Sequence, residues 1–157
     1  MATYAVGGSQ STISSSYKGV AALIAPSSAA RRIKLYEFVL GATANPNATD
    51  TYIQVDISRL SQTTSLAGSA FTPNPTDPAD SASVTLANIN QTTEPSAALI
   101  ANTLFNTGIN QRATTRWIAA QESQYLIAPA TAQNGLYMRA QSSTYASSFD
   151  GQLSFME

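Results

Sequence analysis

A series of short segments rich in β-branched and aromatic residues, separated by turn-forming residues, constrains the fold of this chain most strongly. No long stretch repeats apolar residues at helical spacing. Strands at intervals of roughly 8 to 12 residues are typical of all-β sandwiches and barrels, and the 157 residues suit a single domain. The predicted strands cover residues 33–40, 51–60, 97–106, 113–120, 123–129, 135–141 and 151–157.

The segment RRIKLYEFVLG, residues 31–41, has no clearly polar side when it is drawn as a regular strand. Ile33, Leu35, Glu37 and Val39 then lie on one face, and Lys34, Tyr36, Phe38 and Leu40 lie on the other. We expect Ile33, Leu35 and Val39 to face the core. The second face needs a further layer or a neighbouring subunit to cover it. In TYIQVDISRL, by contrast, Ile53, Val55 and Ile57 alternate cleanly with Tyr52, Gln54, Asp56 and Ser58, which predicts a half-buried strand.

Two regions have weaker strand signals. Residues 1–30 are rich in Ser, Gly and Ala, which predicts an N-terminal arm or edge strands beside a single β-sandwich domain at residues 31–157. Residues 61–93 read as a long loop, because they contain Pro73, Pro75 and Pro78. Asp77 before Pro78 predicts a helical turn over residues 78–84. Both segments are candidates for contact with another surface.

Composition excludes several kinds of chemistry. The chain has no His and no Cys, so disulfides, thiolate metal sites and Ser–His catalysis are impossible. Charged residues make up 11% and the net charge is −1, which gives no electrostatic support for binding nucleic acid or an anionic membrane. We therefore expect no cofactor, no resident metal and no catalytic residue.

The acidic residues admit two interpretations. Glu37 and Asp56 lie on neighbouring predicted strands, so they could form the pair of carboxylates that glycosidases need. Alternatively, they are structural acids: Asp56 lies on the polar face of its strand, and Glu37 pairs with an arginine such as Arg59, Arg116 or Arg139. We favour structural ion pairing by Glu37, Asp56, Arg59 and Arg116. Asp77 and Asp80 lack the alternating pattern of a calcium loop and suit a helix N-terminus instead.

Several sequence phrases resemble a family of small virion proteins of tailed bacteriophages, the head decoration or capsid cement proteins. The phrases are TPNPTDPAD, RATTRW and PATAQNGLYMR, within a resemblance that spans residues 31–157. The resemblance implies a jelly-roll-like β-sandwich that forms a homotrimer, binds the major capsid protein on the virion surface and is made in the host cytoplasm. The alternative is a receptor- or glycan-binding module of a phage tail or fibre, since exposed tyrosines can serve as sugar platforms. The candidate capsid or subunit interface residues are Tyr4, Val6, Tyr17, Tyr36, Phe38, Phe71 and Trp117.

Overall fold

The protein is an all-β sandwich of two antiparallel sheets, which confirms the predicted fold class. The computed structural model describes residues 2–61, 66–96 and 100–157. Within these ranges the strands, in chain order, are β1 Thr3–Gln10, β2 Lys18–Ile24, β3 Ile33–Ala42, β4 Tyr52–Ser61, β5 Ala67–Phe71, β6 Asn74–Pro75, β7 Leu86–Thr93, β8 Ile100–Asn110, β9 Thr115–Ile118, β10 Leu126–Ala128, β11 Asn134–Gln141 and β12 Phe149–Met156.

Sheet A has the strand order β10-β3-β12-β1-β6, and β9 pairs with β3 on the same edge as β10. Sheet B has the order β5-β7-β2-β11-β4-β8. The inward side chains of both sheets form one core, in which Leu23, Val55 and Met138 of sheet B meet Leu40 and Phe155 of sheet A. Interdigitation of two inner faces is the normal way in which a sandwich buries its apolar side chains.

The N-terminal segment is not an arm, and its strands are not edge strands. β1 pairs with β12 over eight residues and with β6 on its other side, while β2 lies between β7 and β11. Tyr4 and Val6 alternate into the core along β1, as do Ala21 and Leu23 along β2. The sandwich therefore includes the segment before Arg31, and the predicted domain boundary at that residue is wrong.

Residues 61–93 are not one long loop either. The described part of this region contains β5, β6 and β7. The aspartate cap at Asp77 is present, because Asp77 Oδ1 accepts the Ala79 N–H at 2.9 Å and its carbonyl accepts the Asp80 N–H at 3.0 Å. The chain then continues without a helix over residues 81–84, so the predicted helical turn ends after one hydrogen-bonded turn.

A β-bulge in β3 explains why both sides of the segment RRIKLYEFVLG can be apolar. Opposite β3, Ser154 of β12 pairs with Glu37 and Phe155 pairs with Leu35, so Tyr36 is an extra residue. Before this bulge Ile33 and Leu35 are buried, and after it Phe38 and Leu40 are buried. The expectation that Val39 faces the core is wrong, because the bulge turns Val39 outward.

The outer face of sheet B is partly covered by its own loops. Leu66 packs on Ala22, Leu60 and Tyr137, which form a second small buried cluster on the side opposite the main core. Tyr137 is fully buried there, although it points away from the core side of β11. This cover ends toward the start of β4, where Tyr52 is exposed.

Candidate functional site

Three of the residues predicted for an interface lie in the core. Tyr4, Val6 and Phe38 are each at most 1% exposed. Tyr4 packs against Phe155 with ring centroids 5.6 Å apart, and its hydroxyl donates to the Ser81 carbonyl at 3.1 Å. Side chains that are already buried within one chain cannot form a contact with another, so these three residues are removed from the predicted interface.

Three further interface candidates are half-buried and already have partners within the chain. Trp117 on β9 stacks on Phe38 with centroids 5.2 Å apart, and both rings contact Phe105 of β8. This aromatic cluster joins sheet A to sheet B. Tyr17 lies over the Arg139 guanidinium at 4.2 Å, which is a cation–π contact.

Tyr36, the extra residue of the β3 bulge, is the third of these half-buried candidates. Its ring lies 6.3 Å from that of Tyr125. Burial, the nearby Glu37 carboxylate and Tyr125 raise the pKa of the Tyr36 hydroxyl above its ordinary value, and a hydrogen bond with Ser154 opposes this rise. Tyr36 is therefore engaged by Tyr125 and Ser154 within its own chain.

Phe71 is the one residue of the predicted interface set that the structure leaves exposed, at 42%. It ends β5, an edge strand in which all five residues are exposed. Phe71 pairs with Ala87 of β7, and the adjacent Leu86 is 56% exposed. A groove of about 490 Å³ runs between them, and no charged residue lines it. We name the residues that flank it the apolar edge patch, which comprises Ile24, Leu66, Ala70, Phe71 and Leu86.

Sequence reasoning missed Leu86 because residues 61–93 were interpreted as a loop. The signal was present in LANIN, in which Leu86 and Asn88 alternate with Ala87 and Ile89. The proline-rich residues before it outweighed that short alternation.

The predicted ion pairs are partly rearranged. Arg116 Nε lies 2.6 Å from Glu37 Oε1, as expected for a structural pair. Asp56 pairs with Arg139 at 3.0 Å, and it also accepts hydrogen bonds from Ser58 and Thr103. Arg59 Nε donates instead to the Ile127 carbonyl at 2.9 Å, which ties β4 of sheet B to β10 of sheet A.

The two carboxylates cannot form a glycosidase pair. Glu37 belongs to sheet A, and Asp56 lies on the outer face of sheet B, so the core separates them. Each is also engaged by its own arginine. Among the described residues, no group of three or more Asp or Glu side chains is placed to hold a metal ion.

A row of amide side chains crosses the outer face of sheet B. Gln141 Nε2 donates to Gln54 Oε1 at 2.8 Å, and Gln54 Nε2 donates to Asn106 Oδ1 at 3.3 Å. Tyr52, two residues before Gln54 and on the same face, is 61% exposed. The alternation of TYIQVDIS predicted this face correctly, since Ile53, Val55 and Ile57 are buried in the core.

A buried polar contact lies on the same sheet. The Tyr137 hydroxyl donates to Glu94 Oε2 at 2.7 Å, and the Gly19 N–H donates to Glu94 Oε1 at 2.5 Å. Burial and the Glu94 carboxylate raise the pKa of Tyr137 above its ordinary value. Because a Cβ at Gly19 would overlap the Tyr137 ring and hydroxyl, only glycine fits there. Through these two hydrogen bonds Glu94, which follows β7, is fixed against β2 and β11.

The chain matches no protein-family model, no curated protein and no solved structure. Among the described residues, no helix has the length and apolar character needed to cross a membrane. A functional proposal for this chain therefore depends on the geometry of its surface and on the resemblance of its sequence phrases.

Proposed function

We propose that this protein is a structural virion protein that binds the outer surface of a bacteriophage capsid and cements neighbouring capsomers. The proposal includes the jelly-roll-like homotrimer, the major capsid protein as partner and the virion surface as location. Two observations support it: the resemblance of the sequence phrases to head decoration proteins, and the apolar edge patch. The second observation carries the proposal, because it gives the sandwich a surface suited to a protein partner.

The exposed edge strand β5 is suited to strand addition. Natural proteins protect an edge strand with charges, prolines or covering loops, since its free N–H and C=O groups can pair with another chain. The β5 sequence AGSAF contains no charge and no proline. A strand of the partner could pair with β5 through backbone hydrogen bonds while its side chains enter the adjacent groove.

The binding energy of such a contact is modest for one copy of the protein, and it becomes large when many copies bind one capsid. Burying an aromatic or aliphatic side chain fully is worth about 1.5 to 3 kcal/mol, and Phe71 and Leu86 are each already partly buried. Repetition by symmetry multiplies these contacts through an increased effective concentration. Because no charged residue lines the groove, added salt should weaken the contact little.

The test measures how much protein binds capsids that lack it. The wild-type chain and the Phe71→Ser/Leu86→Ser double variant are mixed with such capsids and sedimented, and bound copies are counted. The matched control is Ile118→Ser, which removes a 51% exposed apolar side chain from β9 of the other sheet. We expect the double variant to lose at least about tenfold in apparent affinity, whereas the control keeps it.

Two results would contradict the proposal. One is equal occupancy by the wild type and the double variant, which would show that the apolar edge patch makes no contact. The other is a copy number of only a few per particle, which favours a tail or fibre module. A cement protein should be present in hundreds of copies, at the density of the capsomers.

A further inference from the structure

We infer that the outer face of sheet B holds a binding site for a neutral saccharide, centred on Tyr52. This inference does not rest on the capsid role, because the face is separate from the apolar edge patch. The patch lies at the β5 edge of sheet B, and the Tyr52 face lies on β11, β4 and β8 at the opposite side of that sheet.

The site has the shape of an open trough. Gln54 lies opposite Gly108 on β8 and opposite Gln141 on β11, so Gly108 provides a floor without a side chain. The Tyr52 ring stands beside this floor, since a Cβ built on Gly108 would lie 4.0 Å from Tyr52 Cδ2. The amides of Gln54 and Asn106 form the other side. A flat ring can therefore lie against the exposed face of Tyr52.

The amide row has hydrogen-bonding groups that are not used within the row. Gln54 uses Oε1 to accept from Gln141 and uses Nε2 to donate to Asn106. Within the described residues, these bonds leave the Asn106 Nδ2 hydrogens as donors and Gln141 Oε1 as an acceptor. Donors and acceptors side by side suit vicinal hydroxyl groups, each of which both donates and accepts.

The charges beside the trough favour a neutral saccharide over an acidic or basic one. Asp56, on the same face of β4, is 2% exposed and is paired with Arg139, and the exposed Asp50, two residues before Tyr52, is paired with Arg112 at 2.7 Å. Tyr17 covers the Arg139 guanidinium in turn. The trough thus offers the aromatic face of Tyr52 and neutral amides, and the two acids of the same strand segment, Asp50 and Asp56, are each neutralised by an arginine.

Tyr52 is also well suited to binding because its position is fixed. Its carbonyl accepts a hydrogen bond from Ser142 Oγ at 2.8 Å, and its strand is paired on both sides. A tyrosine has only two side-chain torsions to order, so it supplies contact area at a low entropy cost. Its 61% exposure is the largest among the exposed large hydrophobic side chains of the described chain.

The test is a titration of the whole chain with neutral tetrasaccharides of glucose, mannose, galactose and N-acetylglucosamine, followed by NMR or calorimetry. A heparin-derived tetrasaccharide is the acidic counterpart. We expect at least one neutral sugar to bind with a Kd of about millimolar or tighter. Tyr52→Ala and Gly108→Val should each weaken binding about tenfold, whereas Tyr52→Phe and Leu86→Ser should leave it within about threefold.

The inference is overturned if no neutral sugar binds at about 10 mM, if only the acidic sugar binds, or if Tyr52→Ala leaves the affinity unchanged. A thermal melt verifies that each variant is folded, and Tyr52→Phe keeps the test informative if Tyr52→Ala is less stable. Capsid binding by Tyr52→Ala is expected to match the wild type, which separates a failure of this site from a failure of the proposed function.

Discussion

Leu35 and Phe38 both point into the core of the sandwich, although three positions separate them on one strand. In a regular strand, residues at odd separation face opposite sides. The extra residue Tyr36 changes this parity, because Ser154 and Phe155 are consecutive on β12 while their partners Glu37 and Leu35 are not. At the same point the neighbours on the other edge change from β10 to β9, and the Tyr36 carbonyl accepts the Ala119 N–H at 2.9 Å.

The bulge predicts losses of very different size for two adjacent substitutions. Phe38→Ala should lower the free energy of unfolding by about 3 to 5 kcal/mol, because it removes a fully buried ring that stacks on Trp117. Val39→Ala should lower it by roughly 1 kcal/mol or less, because Val39 faces outward. Urea unfolding of both variants is the measurement. A larger loss for Val39→Ala would mean that β3 alternates without the bulge.

The sequence predicted the strands that are regular and failed where the local pattern depends on partners. The alternation in β4 is unbroken, so the buried set Ile53, Val55 and Ile57 and the outward set that begins at Tyr52 were both identified. The β3 bulge is set by pairing with β12, and a single strand carries no sign of the residue that lacks a partner.

The same limit explains the two segments that were misread. Small residues along β1 and β2 resemble a loose arm, yet they allow close packing between the two sheets. Gly8, for example, lies so close to Ala21 that an added Cβ would crowd it. Prolines lowered the strand signal before β7, although Pro75 itself lies in the two-residue strand β6. Exposure at Phe71 and Leu86 depends on which sheet edge remains unpaired, and that is a property of the whole topology.

The hydrogen bond between Tyr137 and Glu94 predicts a measurable contribution to stability. Tyr137→Phe should lower the free energy of unfolding by about 1 to 3 kcal/mol, because it removes the hydroxyl that donates to Oε2 of the half-buried Glu94 carboxylate. The control Tyr52→Phe removes an exposed hydroxyl and should change it by less than about 0.5 kcal/mol.

A double-mutant cycle extends this test to Gly19. Gly19→Ala should be strongly destabilising, since its Cβ would overlap the Tyr137 hydroxyl and ring. Part of that loss should be relieved when Tyr137→Phe removes the hydroxyl, so the two effects should be less than additive. Strict additivity in denaturant unfolding would show that the glycine is not held by this tyrosine.

The carboxylate of Glu157 predicts a pH-dependent contribution to stability. Burial opposes its ionisation, but hydrogen bonds from Thr85, Val84 and Ser83 outweigh burial, so the pKa of Glu157 is lowered from its ordinary value of 4.5. A group with a lowered folded-state pKa stabilises the protein above its unfolded pKa, and this stabilisation disappears as the pH falls through the folded value.

Glu157→Gln should therefore lower the free energy of unfolding by about 1 kcal/mol at pH 7. The difference from the wild type should shrink as the pH falls below the ordinary value of 4.5. Denaturant unfolding at a series of pH values measures this, and Glu122→Gln at an exposed position is the control. A difference that is constant with pH would show that the charge of Glu157 is not what holds residues 83–85.

Gln133, in the turn before β11, predicts a stabilising substitution. Its φ is 63°, in the left-handed region that costs a residue with a side chain about 1 to 2 kcal/mol. Its N–H donates to the Ala25 carbonyl at 2.8 Å, and Gln133→Gly keeps that bond. We expect the glycine to raise the free energy of unfolding by about 0.5 kcal/mol, after the greater entropy of the unfolded chain is included.

The adjacent Ala132 has no positive φ, so Ala132→Gly should lower stability by roughly the same amount. Thermal unfolding of the two variants compares them directly, and equal signs for the two shifts would contradict the strained conformation of Gln133.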